Sequence, residues 1–273
     1  MKLCVSTLGC PDWSLDELLS CAEENGYEAV ELRGLQDEMF LPQAPEFAPS
    51  NVEATKSRFE RAGCAVACLG ASARFTPQEP NVRREMLDEV TAYADLAVAL
   101  GAPMVRVFGG NIPEGVSRAD CLKYAGEALR QAGEIAAERG VKLVLETHDA
   151  FSSGEQVAEL LRAADSPAVG SLWDIHHPYR QGESLETTME HLRSTLLHTH
   201  LKDSVEDGDK RRYTLLGEGD IPVLEALQLL KDEGYDGYLS LEWEKRWHAE
   251  IADPEVVFPH YAKKMRELLA ALE

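Results

Sequence analysis

The sequence predicts an α/β protein folded as one (β/α)8 barrel domain over residues 1–273. Short apolar, β-branched runs alternate with longer amphipathic ones, the pattern of parallel strands joined by crossover helices. Eight such pairs fit the chain at about 34 residues per unit, the usual size for this fold. The rival, an open doubly wound sheet, calls for a glycine-rich phosphate loop after the first strand. Residues 7–12 read Thr-Leu-Gly-Cys-Pro-Asp instead.

Taken in order, strands are expected at 2–7, 29–32, 65–69, 104–108, 142–146, 169–174, 196–201 and 238–242. The helices between them are expected at 15–24, 52–62, 82–100, 118–139, 154–164, 184–193, 222–233 and 254–269. The first helix opens on Ser14-Leu15-Asp16-Glu17, a capping hydroxyl followed by acids at the positive end of the dipole. Gly26, Gly63, Gly101, Gly140 and Gly234 each stand between a helix and the next strand, where a left-handed residue ends the helix. Two longer irregular pieces remain: 34–50, which carries Pro42, Pro45 and Pro49, and 203–220 after the seventh strand. No linker or shift of composition divides the chain.

Composition narrows the function. There are 27 basic and 48 acidic side chains, a formal charge of −21, which repels nucleic-acid phosphates and anionic membrane surfaces. With 44% hydrophobic residues and no apolar run near the roughly 20 that span a bilayer, a soluble protein is expected. The N-terminus reads as a strand and not a signal peptide, so a cytoplasmic location is expected. The six cysteines contain no Cys-x-x-Cys pair and are read as reduced. All of them precede residue 122, whereas all eight histidines lie from 148 onward.

A barrel of this kind carries its active site at the C-terminal ends of the strands. Strand 5 ends Leu145-Glu146-Thr147-His148, strand 6 Trp173-Asp174-Ile175-His176-His177, strand 7 His198-Thr199-His200-Leu201-Lys202-Asp203, and strand 8 Leu241-Glu242-Trp243-Glu244. Four consecutive strands thus bring Glu, Asp, His and Glu to one rim. Three carboxylates and an imidazole repel one another unless a cation joins them. An oxygen-rich set suits Mn²⁺, Mg²⁺ or Co²⁺ better than a structural zinc, which prefers thiolates.

Leu-Glu at 145–146, Asp-Ile-His-His at 174–177, His-Thr-His at 198–200 and Leu-Glu at 241–242 resemble the xylose isomerase-like TIM barrels. That group includes tagatose/allulose 3-epimerases and inosose dehydratases. The resemblance covers the whole chain and is most specific from 141 on. It implies one divalent ion, Mn²⁺ foremost with Mg²⁺, Co²⁺ or Zn²⁺ as alternatives, held by Glu146, Asp174, His200 and Glu242. It also implies a substrate-contacting histidine at His177. Strand alternation agrees: His198 and His200 share a face, and His200 lies nearer the rim. His198, one layer deeper, reads as a hydrogen-bonded interior histidine.

These residues suit proton transfer beside a carbonyl. A cation across a ketose carbonyl and hydroxyl acidifies the neighbouring C–H and stabilises the enediolate, while Glu146 and Glu242 move the proton. Return to the opposite face epimerises, return to the next carbon isomerises, and loss of a β-hydroxyl dehydrates. The expected function is a metal-dependent sugar isomerase or epimerase. The alternative is a dehydratase or lyase on a keto-sugar, 3-keto-glycoside or inosose. A zinc nuclease of the apurinic endonuclease type is remote, because strands 3 and 4 end without histidine. A non-catalytic sugar-binding protein has little reason to gather three carboxylates.

Further substrate contacts are expected from Lys202, His148, Trp13 and His248, each with a plainer reading beside it. Lys202 holds a substrate oxygen or pairs with Asp203 on the rim. His148 touches substrate or belongs to an ordinary loop. Trp13, and Trp247-His248 after strand 8, stack on sugar faces or pack on the surface. Glu31 and Arg33 end strand 2 and read as an ion pair. Arg211-Arg212 lie among acids, so an unphosphorylated sugar is preferred. The resemblance also implies a homodimer or homotetramer.

Overall fold

The structure is a computed structural model that describes residues 1–208 and 210–272. Eight parallel strands close into a barrel: β1 (Lys2–Ser6), β2 (Ala29–Leu32), β3 (Ala65–Arg74), β4 (Met104–Phe108), β5 (Lys142–Glu146), β6 (Val169–Asp174), β7 (Leu196–Leu201) and β10 (Tyr238–Leu241). Neighbours run in chain order, and β10 pairs with β1 to complete the ring. Eight longer helices pack outside: α1 (Leu15–Asn25), α2 (Val52–Arg61), α3 (Pro80–Leu100), α4 (Arg118–Ala137), α5 (Gly154–Ala164), α7 (Leu185–Leu192), α8 (Val223–Asp232) and α9 (Pro254–Ala270). The (β/α)8 expectation holds.

The local signals act as read. Ser14 and Glu17 form a full capping box, the Glu17 N–H donating to Ser14 Oγ at 3.3 Å and the Ser14 N–H to Glu17 Oε2 at 2.7 Å. Gly26 ends α1 with φ of 63°, a value that glycine adopts without penalty. The tyrosines Tyr27 and Tyr261 tie α9 to the barrel by donating to Phe258 O at 2.8 Å and Leu239 O at 3.0 Å. All six cysteines are free. No helix among the described residues is long and apolar enough to cross a membrane.

Three features depart from the sequence reading, all at the C-terminal mouth. Strand β3 continues five residues further, to Arg74. A short helix, α6 (His176–Arg180), follows β6 directly. The piece expected to be irregular after β7 contains an antiparallel hairpin of β8 (Asp203–Asp207) and β9 (Lys210–Thr214). Segment 34–50 is a loop as expected, but it is anchored. Its 3-10 turns bury Leu41 and Phe47, and Tyr93 on α3 donates to Met39 O at 3.1 Å.

Candidate metal centre

Adjacent strands place the four candidate ligands. Asp174 ends β6 in register with His200 on β7, and His200 is in register with Ser240 on β10. Glu242 follows β10 and donates its N–H to Leu201 O at 3.1 Å. Glu146 closes β5 beside β6. One ligand atom each from Glu146, Asp174, His200 and Glu242 lies within 4.8 Å of the others, and all four residues are buried.

The unpaired atoms in this cluster decide whether a cation fits. Both carboxylate oxygens of Glu146 and Nδ1 of His200 are buried without a hydrogen-bond partner among the described residues. His200 Nδ1 stands 3.6 Å from Glu146 Oε1 and 3.3 Å from Glu242 Oε1. Leaving buried carboxylate oxygens without a hydrogen bond costs on the order of 2 kcal/mol, offset only in part by the Arg106 charge 3.3 Å from Glu146 Oε2. A divalent ion bound by these atoms removes that cost, so the donor set fits one. The other face of the imidazole is held by Glu31 on β2, whose oxygens accept from His200 Nε2 at 2.9 and 3.0 Å and from His198 Nε2 at 2.8 Å.

Charges around the cluster keep Glu146 and Glu242 ionised. Burial pushes Glu242 up, but His200 and Lys202 outweigh it and hold the carboxyl well below its usual range. Burial and Glu242 likewise push Glu146 up, and Arg106 with His200 bring it below its ordinary value.

The family model described as xylose isomerase-like TIM barrel matches residues 19–272. This chain belongs to the xylose isomerase-like TIM barrel family. Fructoselysine 3-epimerase of Escherichia coli O157:H7 is 25% identical over 249 residues, 89% of this chain and 90% of that protein. Inosose dehydratase of Clostridium perfringens (strain 13 / Type A) is 25% identical over 291 residues, 94% and 93% of the two chains. The solved IOLI protein with a binding zinc atom shares the fold at a TM-score of 0.80 and 19% identity, covering 100% of this chain and 98% of that one.

On this xylose isomerase-like barrel the remaining candidates divide into two groups. His177 lies in α6 with Nε2 3.4 Å from Asp174 Oδ2, and its ring meets His148 edge-on at 4.8 Å. His148 Nδ1 lies 3.0 Å from Asp149 Oδ1, and the ring packs on Phe108. These two histidines adjoin the cluster. Trp13 does not join them: its indole packs edge-on against Phe258 and its Nε1 donates to Glu255 at 3.3 Å, both on α9. His248 contacts Glu244 at 3.6 Å and Glu250 at 3.4 Å, one residue removed from Lys202.

Two expected ion pairs are replaced by others. Lys202 is not paired with Asp203 on the rim. Its ammonium is buried and reaches Asp174 at 2.5 Å, Glu242 at 2.6 Å and Glu244 at 3.1 Å. Burial lowers its pKa, but Asp174 and Glu242 hold it well above the ordinary lysine value. Asp203 turns the other way and accepts N–H groups at the base of the hairpin. Glu31 is not paired with Arg33 either, since the two histidines take it. His198 is the interior, hydrogen-bonded histidine the sequence suggested.

Arg106 on β4 went unread. It is buried with Nε 3.3 Å from Glu146 Oε2. A signal was present, because Met104-Val105-Arg106-Val107-Phe108 sets one arginine within an apolar strand, on the face opposite Val105 and Val107.

Proposed function

We propose that this barrel is a divalent-metal-dependent isomerase or epimerase acting on an unphosphorylated ketose or keto-sugar, with Mn²⁺ as the foremost ion. The observation that carries the reading is the convergence of the Glu146 oxygens and His200 Nδ1, which make no hydrogen bond among the described residues, with Asp174 and Glu242. The similarity to fructoselysine 3-epimerase supports the reaction class. When bound, the ion supplies Lewis acidity at a carbonyl and its neighbouring hydroxyl.

The chain's own residues do the rest. Glu146, ionised and without a hydrogen bond of its own, accepts the proton from the carbon beside the carbonyl. Glu146 returns the proton it took, or Glu242 passes on one that it has first accepted from a substrate hydroxyl or from solvent. Lys202 holds its own proton too tightly to serve as the acid and instead keeps Glu242 ionised and holds both Glu242 and Asp174 in place. His177 stands where it donates to a substrate oxygen. In D₂O with Mn²⁺, the wild type is expected to exchange one substrate C–H for deuterium. Glu146→Gln and Glu242→Gln are each expected to lose exchange while keeping the fold. Exchange retained by both variants, or by thoroughly chelated enzyme, overturns the reading.

A second reading, dehydration of a keto-sugar or inosose, draws on the similarity to inosose dehydratase and on His148. Burial lowers the pKa of His148, but its bond to Asp149 and the charge of Glu146 outweigh that and raise it above the ordinary value. A protonated His148 gives the leaving β-hydroxyl the proton it needs to depart as water, while Glu146 keeps the carbon proton. His148→Asn then abolishes a dehydrated product seen by NMR and leaves C–H exchange intact. An epimer or isomer as sole product rejects this second reading.

A further inference from the structure

Arg33, two residues beyond Glu31, is a buried cation without an ion pair in a chain of formal charge −21. It is 8% exposed, its Nη2 donates to Ser72 Oγ at 2.9 Å, and its Nη1 is buried with no partner among the described residues. Arg106 is 1% exposed. Its Nε and Nη1 make no hydrogen bond among those residues, and its guanidinium lies 4.0 Å from the Phe108 ring centroid. Its ion pair within 4 Å among the described residues is with Glu146, at 3.3 Å, and the charges of Glu242 and Glu31 also act on it.

The stem of Arg33 and the guanidinium of Arg106 both come up to Gly70 in β3. A Cβ at Gly70 would stand 2.6 Å from Arg33 Cδ and 3.0 Å from Arg106 Nη2. Glycine weakens a strand interior and marks a place where another group comes close. Buried cations are normally paired, whereas Arg33 has no ion pair among the described residues and both arginines keep N–H groups without a partner. Burial and the charge of Arg106 together push the Arg33 pKa down to about 10. The planar fork of a guanidinium matches a carboxylate with two parallel bonds.

We propose that Arg33 and Arg106 form a carboxylate-binding subsite over Gly70, beside Glu146, so that the ligand taken by this barrel is a keto-sugar acid. The word substrate in that statement rests on the function proposed above, whereas binding of the acid does not.

Calorimetric titration of the Mg²⁺-loaded protein with 5-ketogluconate, fructose and fructose 6-phosphate tests it. 5-Ketogluconate is expected to bind at least about tenfold more tightly than fructose, the yield of one charge-assisted bond pair. Arg33→Met is expected to erase that preference and Arg33→Lys to keep part of it. If Arg33→Met does not fold, the three ligands on the wild type decide alone. Equal binding of 5-ketogluconate and fructose, or a preference that survives in Arg33→Met, overturns the subsite. Tighter binding of fructose 6-phosphate than of 5-ketogluconate overturns the carboxylate assignment. Deuterium exchange into fructose, together with equal binding of 5-ketogluconate and fructose, overturns the subsite and leaves the isomerase reading standing. Selective binding of 5-ketogluconate without exchange in any ligand does the reverse.

Discussion

Glu31 takes hydrogen bonds from two imidazoles and from the Ser240 hydroxyl at 3.2 Å, all inside the barrel. Burial pushes its pKa up, but His200 and then His198 outweigh that and hold the carboxyl well below its usual range. An ionised carboxylate only accepts, so Nε2 of His200 carries a proton toward Glu31 and Nδ1 faces the cluster. Glu31→Gln is expected to weaken Mn²⁺ binding by about 10–100-fold, read by competition with a chelator. Unchanged affinity would show that Glu31 does not orient the ligand. The cysteines offer a second check at this scale. Burial pushes Cys21 up to about 11 and Cys64 up to about 12, so both stay as thiols below those values. At about pH 8.5 a native sample is expected to react slowly with a thiol reagent, and a denatured one rapidly at all six positions.

The hairpin of β8 and β9 is held to the barrel at its base by Asp203. Its carboxylate accepts from the N–H groups of Ser204, Gly217, Gly219 and Ile221 at 2.8–3.2 Å. Asp203→Ala strips four backbone donors of their acceptor and is expected to cost about 3 kcal/mol, less than the full sum because water enters. A urea titration reads the loss, and an unchanged midpoint would mean that the hairpin is anchored elsewhere. Neither this hairpin nor α6 was legible in the sequence. Lys210–Thr214 shows no apolar alternation, and a five-residue helix containing Pro178 is too short for a helical period to register. The eight barrel strands were legible because their apolar runs are set by burial on both faces, a local property.

Across the molecule, metal binding and folding are linked, because the cluster exists only when four strands of the closed barrel lie side by side. An ion at about 100 times its Kd adds about 2.7 kcal/mol. For a chain of this size that is a rise in Tm of roughly 5–10 °C. Dialysis against a chelator is expected to lower the melting midpoint by that amount, and Mn²⁺ to restore it. A midpoint indifferent to both would leave the cluster without a structural claim on a cation.

The sequence by itself determined the barrel, the order of its eight strand–helix units and the four residues that meet at the mouth. Each of those rests on a short-range rule: a period of two or 3.6, a cap, or the last polar residue of a strand. Only the tertiary structure decided what stands around them. Glu31 lies 167 residues from His198 and 169 from His200, and Lys202 is 28 and 40 residues from its acids Asp174 and Glu242. Partners so far apart along the chain meet because the ring closes and its inward faces fill one interior. No local pattern specifies which inward residue faces which across that interior.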